Sequence, residues 1–214
     1  MQLYLIRHAQ SSNNASPDNA RVEDAPLTDL GHRQAIHLAQ WIPSLKLTRL
    51  LSSPFLRTLQ TTEHIRQTVA LKPQISTQLH ELGGCVEGPT PDVMVGRPGM
   101  TRSEIESRFP AFDITPDIDG RGWWRNKPYE TREEARGRAA KLLAQIRQEL
   151  AETDERLGCV THGGFTPLLI TCFDPTPREV PHNASVARID ITQKTIRLNY
   201  YDRVEQLPAN LITQ

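Results

Sequence analysis

Leu3-Tyr4-Leu5-Ile6-Arg7-His8-Ala9-Gln10-Ser11-Ser12-Asn13-Asn14 is the stretch on which the fold turns. A four-residue apolar run begins almost at the first residue and stops abruptly at Arg7-His8. It is too short for a core helix and reads as a buried strand. The following segment, Ser11 to Pro17, has loop composition. A second run of the same form lies far along the chain, Leu157 to Thr161, and again ends on histidine, His162-Gly163-Gly164.

Between these two strands the pattern alternates. Thr28 opens a helix in which Ala35, Leu38, Ala39 and Ile42 recur at helical spacing until Pro43 stops it. Leu47 to Leu51 is the next strand. Ser53-Pro54 reads as a helix start, with proline at the first helical position and Leu56, Leu59 and Ile65 following. Ile75 and Leu79 sit in an extended stretch. Thr131 with Glu134 three residues later is a capping box, and opens a long helix through Ala139, Leu142, Leu143, Ile146 and Leu150. After Gly164 a helix runs from Phe165 to about Cys172. Ser185 to Ile191 and Thr195 to Tyr200 alternate and read as a hairpin at a sheet edge. This order predicts an α/β fold, three-layer α/β/α with a mostly parallel central sheet. Residues 83–130, rich in Gly, Pro and charge with one helical piece from Arg102 to Phe109, read as an inserted lid region. The whole of 1–214 reads as a single domain.

Composition narrows the function. The 214 residues carry 25 Lys+Arg against 25 Asp+Glu, a zero balance that argues against nucleic-acid partners and a polybasic membrane anchor. No apolar run approaches the ~20 residues of a membrane span. The first residues lack the pattern of a signal peptide. Cys85, Cys159 and Cys172 are odd in number and far apart, which fits neither a disulfide framework nor a zinc ligand set. A cytoplasmic location is the expectation.

In such folds ligands bind beyond the carboxyl ends of the strands. His8 and His162 each end a strand, and meet if those strands are neighbours. Arg7 precedes His8, and Arg57 lies in the first turn of the helix after Leu47–Leu51. Two histidines and two arginines converging there make an anion site, since the guanidinium fork matches phosphate oxygens. The helix after Gly163 adds N–H groups and a positive dipole end. Taken singly, each of these residues is more often a structural histidine or a surface charge. The shared strand-end position is what sets them apart.

Five blocks in order resemble the histidine phosphatase (phosphoglycerate mutase-like) superfamily. They are Arg7-His8-Ala9-Gln10-Ser11 through Asn14, Leu27-Thr28-Asp29-Leu30-Gly31, Ser52-Ser53-Pro54-Phe55-Leu56-Arg57-Thr58, Glu81 after Leu79, and Thr161-His162-Gly163. The resemblance implies that His8 is the nucleophile and that Arg7, Arg57 and a charged His162 clamp the phosphate. Asn14 and the Gly163 N–H assist, and Glu81 is the general acid. It implies no metal and no cofactor. Ala9 stands where the family has Gly, and is tolerable if the backbone there is not left-handed. Gln10 replaces the family's Glu, a minor departure. Glu87, close to Glu81, is the competing acid.

Substrate choice is expected in the lid, where Arg97, Arg102, Arg121, Trp123, Trp124, Arg125 and Lys127 are candidates to line it. For the Trp pair, packing of the lid onto the body is favoured over stacking on a ring. The expected activity is hydrolysis of a small phosphomonoester through phosphohistidine. A cofactor-dependent phosphoglycerate mutase and a non-catalytic phosphate-binding module are the alternatives. Sugar phosphates, other small organic phosphates, nucleotides and phosphoproteins all stay open as substrates, as does the oligomeric state.

Overall fold

Alternation along the first strand accounts for the layers. In the computed structural model, which describes residues 1–17 and 20–214, β1 (Gln2–Arg7) sends Leu3 and Leu5 to one face and Tyr4 and Ile6 to the other. Leu3 and Leu5 pack with Leu142, Leu143 and Ile146 of α5 (Arg132–Leu150) and with Phe165 and Leu169 of α6 (Phe165–Ile170). Tyr4 and Ile6 pack with Leu38 and Ala39 of α2 (Asp29–Trp41) and with Ile65 of α3 (Leu56–Arg66). Each such side chain taken fully out of water contributes about 1.5–3 kcal/mol. One strand thereby bonds a helical layer to each side of the sheet.

The remaining strands are β2 (Arg49–Ser52), β3 (Gln74–Ile75), β6 (Arg156–Thr161), β7 (Val186–Ile191) and β8 (Ile196–Arg203). They form a six-stranded sheet in the order β3-β2-β6-β1-β7-β8. β3, β2, β6 and β1 run parallel, and β7 and β8 add an antiparallel edge. The fold is therefore the three-layer, mostly parallel α/β/α expected from the strand–helix order. β1 and β6 are direct neighbours, with Arg7 opposite Thr161, so His8 and His162 leave the sheet side by side. The His8 N–H still bonds Thr161 O (3.0 Å), and the Ser53 N–H bonds Val160 O (2.9 Å).

Several local expectations need correction. Pro54 is not the first helical residue. Ser53 is still tied to the sheet, so the chain needs Pro54 and Phe55 to turn before α3 begins at Leu56. The stretch read as loop contains a short helix, α1 (Ser12–Ala15), because Asn14 Oδ1 accepts from both the N–H and the hydroxyl of Ser11, at 3.0 and 2.9 Å. Leu79 lies in a 3-10 turn, Thr77–Leu79, rather than in extended chain. Helix α6 stops at Ile170, short of Cys172.

Within 83–130 lie a hairpin of β4 (Val86–Glu87) and β5 (Val95–Gly96), which the sequence pattern did not show, and α4 (Arg102–Arg108). The segment shares one apolar cluster with the body: Trp123, Trp124, Ile105 and Phe109 pack with Phe55, Leu59 and Ile75. Gly84 and Gly99, at φ +82° and +67°, abut the indoles of Trp124 and Trp123, where a Cβ would come within 2.2 and 2.3 Å. Among the described residues no helix is long and apolar enough to cross a membrane.

Candidate active site

A cavity of about 490 Å³ opens beyond the carboxyl ends of β1 and β6, and Arg7, His8, Asn14, Arg57, Glu81 and Gly163 all line it. His162, fully buried, is packed behind His8 with ring centroids 5.2 Å apart.

The tautomer of His8 follows from its neighbours. Its Nδ1 lies 2.7 Å from Ala9 O, which can only accept, so Nδ1 carries the proton. That leaves the lone pair on Nε2, which receives the Arg57 Nε–H at 3.2 Å. Burial, then Arg57 and Arg7, push the His8 pKa well below the ordinary imidazole value. The ring is neutral at neutral pH, as a nucleophile requires. The His8 carbonyl is held by the Ala184 N–H (3.2 Å) and Asn183 Nδ2 (3.3 Å). Ala9 is buried and is not among the residues with positive φ, so its methyl is accommodated without strain. Gln10 turns away from the cavity and accepts from the Thr28 hydroxyl at 2.7 Å.

The two guanidiniums are buried and only partly partnered. Arg7 donates through Nη1 to Pro181 O, while its Nε has no partner. Burial lowers Arg7 to about 10, Glu81 opposing and Arg57 adding to the shift, so it stays charged. Arg57 lies over the Phe55 ring at 4.1 Å, and its Nη1 has no partner. Unsatisfied buried cationic donors are costly, and an anion bound between them would remove that cost. Asn14 Oδ1 is occupied by Ser11 and by Asn183 Nδ2 (3.3 Å), which leaves its Nδ2 as the group able to donate to a ligand.

The expectation of a charged His162 is corrected. Burial, then the Arg57 charge and His8, hold its pKa well below the usual imidazole range, so in this site it is neutral. Its Nε2 pairs with the Ser53 hydroxyl at 2.7 Å, and its Nδ1 has no partner. The expected helix-end donors are corrected too. Helix α6 spans six residues, and the Gly164 N–H at its start is taken by Glu81 Oε2 at 3.1 Å. Glu81 Oε1 accepts from the Leu82 N–H at 2.9 Å. Glu87 also lines the cavity, but it is ion-paired with Arg97 through Nε at 2.7 Å.

The structure does not bring the lid candidates to the cavity. Arg97, Arg102, Arg121, Trp123, Trp124, Arg125 and Lys127 are all absent from its lining. Arg102 is spent on the carbonyls of Ile114, Thr115 and Ile118, and Arg121 on Asp119. Trp123 and Trp124 are buried, as the packing reading requires, and Trp123 meets Phe55 at 4.8 Å. Phe55 in turn meets His162 at 5.1 Å, so residues 83–130 brace the back of the site.

Sequence reading missed Ser53 as a partner of His162, Asn183, Asp24, and the rim residues Asn13, Arg21 and Glu23. Ser53 and Asn13 both lie within motif blocks, where Ser53 marks a helix start and Asn13 a loop rather than these contacts. Nothing local marks the others. Among the described residues no three His, Cys, Asp or Glu side chains gather as a metal-ligand set.

An imidazole with its lone pair beside two buried arginines, with a second imidazole behind and the Glu81 carboxyl across, is an arrangement able to receive an anion such as a phosphoryl group. In agreement, the model of the histidine phosphatase superfamily (branch 1) matches residues 3–203, and the chain belongs to that superfamily. A Yersinia enterocolitica protein named "Probable phosphoglycerate mutase GpmB" is 33% identical over 127 residues, 56% of this chain and 59% of the relative. One of the same name from Cronobacter sakazakii is 35% identical over 82 residues, 38% of each. The matched parts thus span less than two thirds of those relatives. Among solved structures, a mycobacterial glucosyl-3-phosphoglycerate phosphatase aligns with TM-score 0.63 at 20% identity, covering 94% of this chain and 98% of that one. A phosphoserine phosphatase from Entamoeba histolytica aligns with TM-score 0.66 at 18% identity, covering 97% and 99%. At such identities the likeness is one of fold.

Proposed function

We propose that this protein is a phosphomonoester phosphatase that works through a phosphohistidine intermediate on a small phosphorylated substrate. The observation that carries the reading is the His8 imidazole, neutral, with Nδ1 anchored on Ala9 O and Nε2 presented beside Arg57. In the first step His8 Nε2 attacks phosphorus and the bond to the leaving oxygen breaks. Arg7, Arg57, His162, Asn14 and the Gly163 N–H take the three equatorial oxygens, where the charge of the transition state is spread. His162 enters neutral, takes the proton that a phosphate monoanion carries in, and is then stabilised as a cation by the phosphate dianion. Glu81 supplies the proton to the leaving oxygen. In the second step water attacks the phosphohistidine, Glu81 accepts its proton, and His8 and inorganic phosphate are regenerated.

Glu81 is preferred to Glu87 because Glu87 is held by Arg97 at the rim, whereas Glu81 is oriented by two backbone N–H groups inside the site. Residues 83–130 serve as the lid of the single domain. Hydrolysis is preferred to the mutase reaction that the names of the sequence relatives favour. A mutase must hold a substrate with a second anionic group away from the reacting phosphate. Among the described residues, the outer wall of the cavity instead combines Val22, Val86, Pro89 and Met94 with Glu23 and Glu87, and its one cation, Arg21, bonds Asn13 O at 3.2 Å.

The test is a rate panel of phosphorylated metabolites and p-nitrophenyl phosphate, with phosphoglycerate isomerisation assayed alongside. Release of inorganic phosphate, lost in His8→Ala together with an acid-labile phosphoenzyme, is the expected result. Isomerisation faster than hydrolysis would select the mutase. Hydrolysis that survives His8→Ala would remove His8 as nucleophile.

A further inference from the structure

Asp24 stands outside every motif named above, yet it occupies a joint of the site. Helix α3 begins at Leu56, and its N-cap residue, Phe55, has no side-chain acceptor for the exposed N–H groups of the first turn. The missing cap comes from another part of the chain: Asp24 Oδ1 accepts the Leu56 N–H at 2.8 Å. The next residue is Arg57. Asp24 therefore ties the loop before α2 to the turn from which Arg57 projects.

The charged and titratable groups that face Asp24 are Arg57 on α3, Arg108 on α4, Glu23 on its own loop and the Cys85 thiol at the start of the lid. Burial raises the Asp24 carboxyl to about 7, against the lowering by Arg57, the Leu56 N–H and Arg108. Burial pushes Cys85 up to about 12, so the thiol stays neutral. His8 and His162, shifted the other way, are neutral through the same range. Among Asp24, Cys85, His8 and His162, Asp24 is the one brought near neutrality.

We propose that Asp24 is a positioning residue for Arg57: its carboxyl caps α3 in either charge state, and its negative charge competes with a bound phosphate for the Arg57 guanidinium. The inference rests on the phosphatase reading only in taking phosphate as the anion held at Arg57. Linkage fixes the sign: ionised Asp24 weakens phosphate binding, and bound phosphate keeps Asp24 protonated.

The experiment is calorimetric titration with inorganic phosphate from pH 5.5 to 8.5 on the wild type, Asp24→Asn and Asp24→Ala. The phosphate's own ionisation near pH 6 is common to all three proteins and divides out. Wild-type affinity is expected to fall as pH rises through about 7. Asp24→Asn keeps the acceptor and loses the charge, so that step should vanish and affinity at pH 8 should exceed wild type by about tenfold, the equivalent of one pK unit of coupling. Asp24→Ala loses the cap as well and should bind more weakly than Asp24→Asn at every pH. Superimposable wild-type and Asp24→Asn profiles would overturn the charge effect, and equal affinities of the Asn and Ala proteins would overturn the capping role. Absence of phosphate binding in all three would remove the phosphatase reading and this inference with it. Should the variants fail to fold, the wild-type Asp24 carboxyl can be followed by carbon-13 NMR. It should titrate near 7 and move higher with saturating phosphate, and titration in the ordinary carboxylate range would overturn the proposal.

Discussion

Gly163 and Gly164 are adjacent, yet a methyl group placed on each should damage a different step. Gly164 has φ −77° and ψ −35°, an ordinary helical conformation, so alanine adds no backbone strain. Its Cβ would lie 2.7 Å from Glu81 Oε1 and 3.3 Å from Cδ, closer than atoms tolerate. The carboxylate must swing away, and it then loses the Gly164 N–H bond of 3.1 Å. A hydrogen bond to an uncharged acid is worth about 0.5–1.5 kcal/mol, or roughly 2- to 13-fold in rate if it positions the acid in the transition state. The loss should appear for alkyl phosphates, whose leaving oxygen needs a proton, and be small for p-nitrophenyl phosphate, which leaves without help. Gly163→Ala is the control. Its Cβ would meet Arg7 Nε and Val180 Cγ1 at 2.9 Å each, so it displaces the Arg7 guanidinium, a proposed phosphate ligand. That change should raise KM for both substrates alike. The assay is kcat and KM for the two leaving-group classes in wild type and both variants, with thermal melts to confirm folding. Equal losses for good and poor leaving groups in Gly164→Ala would refute the assignment of Glu81 as acid.

Two further outcomes concern stability. Glu130 is partly buried, bridging Arg138 (Nη2, 2.7 Å) and His80 (3.3 Å) at the end of residues 83–130, and these partners outweigh burial to hold its carboxyl at about 2. Glu130→Gln leaves Arg138 uncompensated and should cost about 3 kcal/mol or more in denaturant unfolding, an effect absent if the bridge is dispensable. Acid should destabilise the fold earlier than ordinary carboxylates would. His8, His162 and His80 all have lowered pKa values, so the unfolded chain binds more protons and stability falls as pH drops below about 6.5. Asp24, raised to about 7, opposes this with one proton of the other sign. Urea midpoints between pH 5 and 7 should therefore rise with pH, and a flat or falling series would contradict the neutral, buried histidines.

Local sequence determined the residues whose position is itself local. His8, Arg7 and His162 follow apolar runs that can only be buried strands, and Arg57 falls one residue into the helix after the next such run, so their convergence is legible in the sequence. The capping box at Thr131 and the packing role of Trp123 and Trp124 were legible for the same reason, being matters of spacing and apolar area. Tertiary structure alone decided what those residues meet. The cap of α3 comes from Asp24, the partner of His162 is Ser53, and the brace on the His8 carbonyl is Asn183, at separations of 32, 109 and 175 residues. It also decided that the lid's arginines are consumed in holding the lid, and that His162 is neutral rather than charged. Strand ends are written in short-range pattern, because burial of alternate side chains is set by neighbours a few residues away. Charge state and hydrogen-bond partnership depend on desolvation and on contacts across the whole chain, and these exist only once the sheet has brought β1, β2 and β6 side by side.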